Sequence, residues 1–187
     1  EGWINASDLS TTDNRIEDVQ RVLNEKYNNQ EHISVYVKQL DTDRVAAIND
    51  EKSMYAASIA KLGVLYYAQE RLSQKKLSLS NEYQYTSTVN GFPGAYDPDG
   101  SGKISKMTDD KNYSLENLLK AVAQNSDNVA TNILGYYVAN QYYNSFQKSV
   151  DKASATSWNM DKKELTARAA GTLMEAVYRQ NGDIINY

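Results

Sequence analysis

The run Ser58-Ile59-Ala60-Lys61-Leu62-Gly63-Val64-Leu65-Tyr66-Tyr67-Ala68 puts apolar residues on nearly every side of a helix. Such a helix is stable only when the rest of the fold encloses it. Its outer end, Gln69 to Lys76, turns polar, so it emerges from the core there. With 187 residues the chain is long enough to bury a core as one globular domain, or at most two small lobes folded together.

The flanking segments supply the cover. Residues 13–28 place Ile16, Val19, Val22 and Leu23 at helical spacing behind Asp13, the predicted N-cap. Ile33, Val35 and Val37 then alternate with polar residues, Asp41-Thr42-Asp43 has turn composition, and Val45-Ala46-Ala47-Ile48 resumes as a second strand, which predicts a β-hairpin. Residues 81–113 are polar and hold both prolines. Residues 114–139 return to helical periodicity in two segments broken at Asn125-Ser126-Asp127-Asn128, with Ser114 as cap and Tyr113 and Leu118 as hydrophobic staple. After a polar stretch at about 151–165, a last helix starts near Thr166 and carries Ala169, Leu173, Ala176 and Val177. No internal repeat is present.

The predicted fold class is α+β, in one domain: helix plus hairpin over 13–50 and a mainly helical lobe over 54–180, packed beside a small antiparallel sheet. Two strands alone make a poor sheet, and an unpaired edge invites self-association or segment exchange.

Composition removes several functions. There is no cysteine and a single histidine, His32, so disulfides, thiol nucleophiles and Cys/His zinc sites are excluded, and a Ser-His-Asp triad has only His32 to use. No metal or cofactor is implied. Twenty Lys and Arg against 24 Asp and Glu give a formal charge of −4, and neither sign gathers into a long block, which argues against nucleic acid as a partner. No stretch reaches the ~18 apolar residues of a membrane span, and Glu1-Gly2-Trp3 lacks the charged and apolar regions of a signal peptide.

Ser-x-x-Lys sets a hydroxyl and an amine one helical turn apart on the same face, where a desolvated amine can take the hydroxyl proton. The pattern occurs four times, at Ser58/Lys61, Ser73/Lys76, Ser145/Lys148 and Ser149/Lys152, so at least three matches are chance for that purpose. Only Ser58/Lys61 opens a strongly apolar helix, with the hydroxyl at the positive end of the macrodipole and the amine against a dry interior. The plain alternative is an N-cap serine with Lys61 reaching to water. Ser126-Asp127-Asn128 stands at the break between two helices, where its short polar side chains either face a cleft or cap the next helix.

Taken together, Tyr55-Ala56-Ala57-Ser58-Ile59-Ala60-Lys61 and Gln124 to Asn132 resemble the first two active-site motifs of the penicillin-recognising serine enzymes, nearest to class A β-lactamases. Val35 to Asn49 is similar to the family's opening hairpin, Gly100-Ser101-Gly102 to its glycine turn, and Thr166-Ala167-Arg168 to the helix start after its omega loop; about residues 13–187 can be laid along the family. The resemblance implies a β-lactamase-like fold. It implies that Ser58 attacks a β-lactam or D-alanyl-D-alanine carbonyl to form an acyl-enzyme, that Lys61 activates it, that Ser126 relays a proton to the departing nitrogen, and that Asn128 binds Lys61 and the substrate amide. Asp127 would be structural, and the Ser58 N–H half of an oxyanion hole. The implied partner is a β-lactam or a peptidoglycan stem peptide, and the implied location extracellular or in the cell envelope.

Two departures qualify that expectation. No Lys is followed by Ser-Gly or Thr-Gly, so the family's third motif is absent, together with the late strands that carry it and the second oxyanion donor. The sequence therefore reads as a member lacking its C-terminal segment, with only the N-terminal hairpin of the sheet, expected to be weak or inactive alone. The other departure is Asn159 after Trp158, where class A β-lactamases place the glutamate that activates the deacylating water; Glu164, the nearest glutamate, fits the lead-in to a helix instead.

A competing pattern is Asp97 to Ser105, which matches the first nine positions of a calcium loop, but position twelve is Thr108 and Asn90 to Gly94 cannot be an entering helix. Gly102-Lys103 is not a phosphate loop, since Asp97 and Ile104 stand where glycine and a hydroxyl are required. Three readings follow: a serine acyl-transfer enzyme, a silent relative that binds cell-wall fragments, and a calcium-binding module. The first is favoured.

Overall fold

In the computed structural model, which describes residues 13–156, Trp158 and 161–187, the chain divides after Asp50 into two units. The first holds α1 (Arg15–Tyr27), β1 (Val35–Lys38) and β2 (Val45–Ile48). The strands pair antiparallel, with Val35 opposite Ile48 and Lys38 opposite Val45. Ile16 and Leu23 of α1, two turns apart, are buried with Ala46 of β2. Val19 and Val22 are 36% and 38% exposed, so the buried stripe of α1 is narrower than its periodicity predicts.

Two local details differ from the sequence expectation. The cap residue of α1 is Asn14, not Asp13, and it makes no side-chain cap bond. Asp13 is instead drawn into bonds with the Arg15 guanidinium and Gln39 Nε2, which hold its carboxyl well below the usual range. The edge of β2 is not bare either. Gln20 Nε2 donates to Ala47 O at 3.0 Å and Gln20 Oε1 accepts from Ala47 N at 2.8 Å, so a helix side chain takes the place of a neighbouring strand.

The second unit opens with β3 (Met54–Tyr55) and a 3-10 turn, Ala57–Lys61, that runs into α2 (Leu62–Ser73). After β4 (Glu82–Gln84) and β5 (Asn112–Ser114) come α3 (Leu115–Asn125) and α4 (Asn128–Leu134), the latter continued by a π turn, Gly135–Ala139. Then follow α5 (Tyr143–Ser154), β6 (Glu164–Leu165) and α6 (Ala167–Gln180). The apolar run behaves as its pattern demands: α2 packs against α3, α5 and α6 and buries Val64, Tyr67 and Ala68. Tyr67 meets Phe146 of α5 edge to face at 5.4 Å, among Leu118, Leu119, Ile133 and Leu173.

The caps follow local chemistry. Ser114 Oγ accepts from Asn117 N at 3.3 Å to start α3, and Thr166 Oγ1 accepts from Ala169 N at 3.0 Å to start α6. Beyond the hairpin, two further antiparallel pairs tie this unit: β3 with β6 and β4 with β5. Strands of two or three residues are too short to show an alternation, which is why the sequence pattern holds no sign of them. The fold is α+β, mostly helical with small antiparallel sheets.

Candidate active site

The break after α3 builds the site. Ser126, the residue that ends α3, adopts a left-handed conformation with φ 50°, and Asp127 then caps α4 through Oδ1, which accepts from Ala130 N at 2.8 Å. That turn presents both oxygens of Ser126 to one lysine. Lys61 Nζ donates to Ser126 O at 2.5 Å, to Ser126 Oγ at 3.0 Å and to Asn128 Oδ1 at 2.5 Å, which uses all three ammonium hydrogens. Lys61 is 2% exposed, so it does not reach to water as the plain N-cap reading supposes. Burial lowers its pKa to about 8, against the charge of Asp127, which favours the ammonium.

Ser58 lies exposed on the 3-10 turn and gives no side-chain cap there. With three residues per turn, positions i and i+3 eclipse, so Ser58 and Lys61 share one face. Among the described residues Ser58 Oγ has no hydrogen-bond partner, and every Lys61 bond goes to the second motif. Ala57, just before Ser58, sits at φ 46°, a conformation that costs a residue with a Cβ about 1 kcal/mol or more. The first bond of the turn is Ile59 N to Ala56 O, so the turn makes no use of the Ser58 N–H.

The glycine turn docks on the second motif. Asn128 Nδ2 donates to Asp97 O at 2.8 Å and Asn128 N to Ser101 O at 2.8 Å, while Asp127 Oδ2 accepts from Lys103 N at 2.6 Å and Ile104 N at 2.9 Å. A Cβ on Gly102, which has φ 139°, would run into the Asp127 carboxylate, and one on Gly100 into Asn128 Nδ2. Two oxygens of the calcium-like stretch are engaged elsewhere: Asp97 Oδ1 accepts from Asp99 N, and the backbone O of Asp99 takes the Lys106 ammonium at 2.6 Å. Among the described residues no three His, Asp or Glu side chains converge in a way that could hold a metal ion.

Two residues at the site, Tyr96 and Lys163, carried no sequence signal. Tyr96 donates its hydroxyl to Ala57 O at 3.2 Å, and its backbone is clamped by Asn132, which accepts from Tyr96 N at 2.7 Å and donates to Tyr96 O at 2.8 Å. Its ring lies 4.7 Å from Lys61 Nζ and 4.5 Å from Lys163 Nζ, so the two ammonium nitrogens are within about 9 Å of each other. Burial raises the Tyr96 phenol above its usual pKa. Lys163 is held close to the nucleophile strand because its carbonyl accepts from Ala56 N at 2.8 Å, and among the described residues it forms no ion pair. Beside Tyr96 opens a cavity of about 300 Å³ lined by Phe92, Pro93 and Phe146. Glu164 sits on β6 opposite Tyr55, exposed, and Asn159 lies outside the described residues.

A sequence profile of the β-lactamase enzyme family matches residues 14–187. The chain belongs to that family. Among curated protein sequences none matches it significantly. The fold is also that of solved penicillin-binding proteins and β-lactamases. PBP-A superposes with a TM-score of 0.69 at 16% identity over 89% of this chain. A β-lactamase from Sphaerobacter thermophilus gives 0.59 at 18% over 78%, and the D-alanyl-D-alanine carboxypeptidase DacD from Francisella tularensis 0.63 at 16% over 78%. The chain spans 63%, 55% and 36% of the length of these three. No helix among the described residues is long and apolar enough to cross a membrane.

Proposed function

We propose that the chain carries a serine acyl-transfer site for β-lactams or D-alanyl-D-alanine-type peptides, with Ser58 as nucleophile. The observation that carries this reading is the buried Lys61, gripped at 2.5–3.0 Å by Ser126 and Asn128 one turn from an exposed serine. A pKa of about 8 removes about 3 kcal/mol of the cost of forming a free amine at neutral pH, compared with an exposed lysine. The free amine takes the Ser58 Oγ proton as Oγ bonds to the carbonyl carbon, and the Ser58 N–H faces the developing oxyanion. Ser126 Oγ passes a proton to the departing nitrogen as the C–N bond breaks and is reprotonated from the Lys61 ammonium. Asn128 positions Lys61 and the substrate amide, while Asp127, enclosed by three backbone N–H groups, keeps the motif in place. Lys163 adds a positive charge beside Tyr96 at which a substrate carboxylate is held. The location that suits these substrates is outside the cytoplasmic membrane or in the envelope.

The test is the intact mass after incubation with benzylpenicillin, on this chain and on the longest natural form that contains it, each beside Ser58→Ala. An adduct that the substitution abolishes supports the reading. Binding without added mass on either form leaves a silent relative that holds such ligands non-covalently, and the acyl-transfer reading then fails.

A further inference from the structure

The Ser-x-x-Lys matches without a part in the site do not scatter. Ser145, Lys148, Ser149 and Lys152 on α5 and Lys76 beyond the end of α2 all border one concavity of about 350 Å³. Arg71 of α2 completes its charged rim, ten residues beyond Lys61, about 15 Å of helix rise from the candidate active site. The two places share a helix but not an end of it.

The electrostatics are one-sided. Four cations face one carboxylate, Glu70, in a chain whose formal charge is −4. Helix C-termini attract cations, which accounts for Arg71, Lys76 and Lys152 taken singly. It does not account for Lys148 in mid-helix, four residues before Lys152, a spacing at which like charges destabilise the helix. Asp151, the acid best placed on α5 to neutralise them, is turned away: its Oδ1 accepts from Gln147 Nε2 at 2.6 Å and Trp158 N at 2.9 Å. Among the described residues Lys76, Lys148 and Lys152 form no ion pair. The Arg71 guanidinium is steadied over the Tyr67 ring at 5.8 Å.

We propose that this concavity binds a phosphate monoester. Several ammonium groups, a guanidinium and the hydroxyl of Ser145 suit a ligand with more than one unit of charge and three acceptor oxygens, which a phosphate monoester offers and a carboxylate or a phosphodiester does not. The lining argues against a bare membrane surface as the occupant. It is polar, its one aromatic residue, Tyr67, is 1% exposed, and an interfacial site needs exposed apolar anchors.

The test follows amide shifts of Lys148 and Lys152 by NMR during titration with inorganic phosphate, with glycerol 3-phosphate and with glutamate, and measures sedimentation with vesicles containing phosphatidic acid. Expected are saturable shifts with phosphate, at least tenfold tighter binding of glycerol 3-phosphate than of glutamate, and weakening with added salt. Lys148→Gln with Lys152→Gln should weaken glycerol 3-phosphate binding at least tenfold, while Lys148→Arg with Lys152→Arg should keep it, with the thermal midpoint lowered in neither. Vesicle binding lost in the Gln variant assigns a lipid phosphate as the source. The proposal is overturned by absent shifts, by equal binding of glutamate, or by binding that the Gln variant leaves intact.

Discussion

The Lys61 ammonium donates to Asn128 Oδ1 at 2.5 Å across 67 positions of sequence, and the same nitrogen holds both oxygens of Ser126. An amine so enclosed is both the chemical resource of the site and a burden on the fold, and the two aspects separate with pH.

Acylation of the competent form should rise about tenfold per pH unit below pH 8 and level off above it, as Lys61 loses its proton at about 8. Stability should follow the same group. Its folded pKa is lowered from 10.5 to about 8, so the unfolded chain binds more protons between those values, and the free energy of unfolding rises with pH across that window. Below pH 8 the burial penalty is present in full, about 3 kcal/mol. Urea unfolding at pH 7.5 and pH 10 should show the gain in the wild type and none in Lys61→Met.

Asp127 is fully buried, and its carboxylate accepts from Ala130, Lys103 and Ile104. Asp127→Ala removes a helix cap and the clamp on the glycine turn together, and is expected to cost about 3 kcal/mol or more. Asp127→Asn keeps the cap and loses the Oδ2 pair, so it should fall between. Equal midpoints for all three proteins in urea unfolding would contradict this.

Lys163→Gln should raise KM for benzylpenicillin about tenfold, the equivalent of 1.4 kcal/mol, and leave kcat near its original value. A change in kcat alone would place Lys163 in the chemistry and not in carboxylate binding.

Millimolar calcium, or chelator, should leave the thermal midpoint unchanged, because among the described residues no three acidic side chains converge on a metal-sized site and the backbone oxygens of Asp97 and Asp99 are taken by Asn128 Nδ2 and Lys106 Nζ. A rise of several degrees with calcium would restore the calcium reading.

Gln20→Ala frees the N–H and C=O of Ala47 along the edge of β2. Sedimentation velocity should then show concentration-dependent association beyond that of the wild type. An unchanged profile would mean that the edge is protected in another way.

The sequence by itself determined the enclosed helix, the hairpin, the serine and threonine caps and the two short motifs, because each depends on neighbours within a turn or two: a buried apolar stripe, an alternation, a hydroxyl three residues before an N–H. Even there local rules slip by a residue, as at Asn14 and Asp13, where Arg15 and Gln39 compete for the capping carboxylate. What only the tertiary structure decided are the meetings of distant segments. Nothing near Tyr96 or Lys163 in sequence marks them, yet the β3–β6 pairing and the Asn132 clamp bring both to Lys61. The left-handed turn at Ser126 is worth its strain only because Lys61 and the glycine turn dock against it, and the pairing of Gln20 with Ala47 exists only once α1 lies along β2. Such contacts are selected by the packing and hydrogen bonding of segments far apart in the chain, a free energy that no window of local sequence contains.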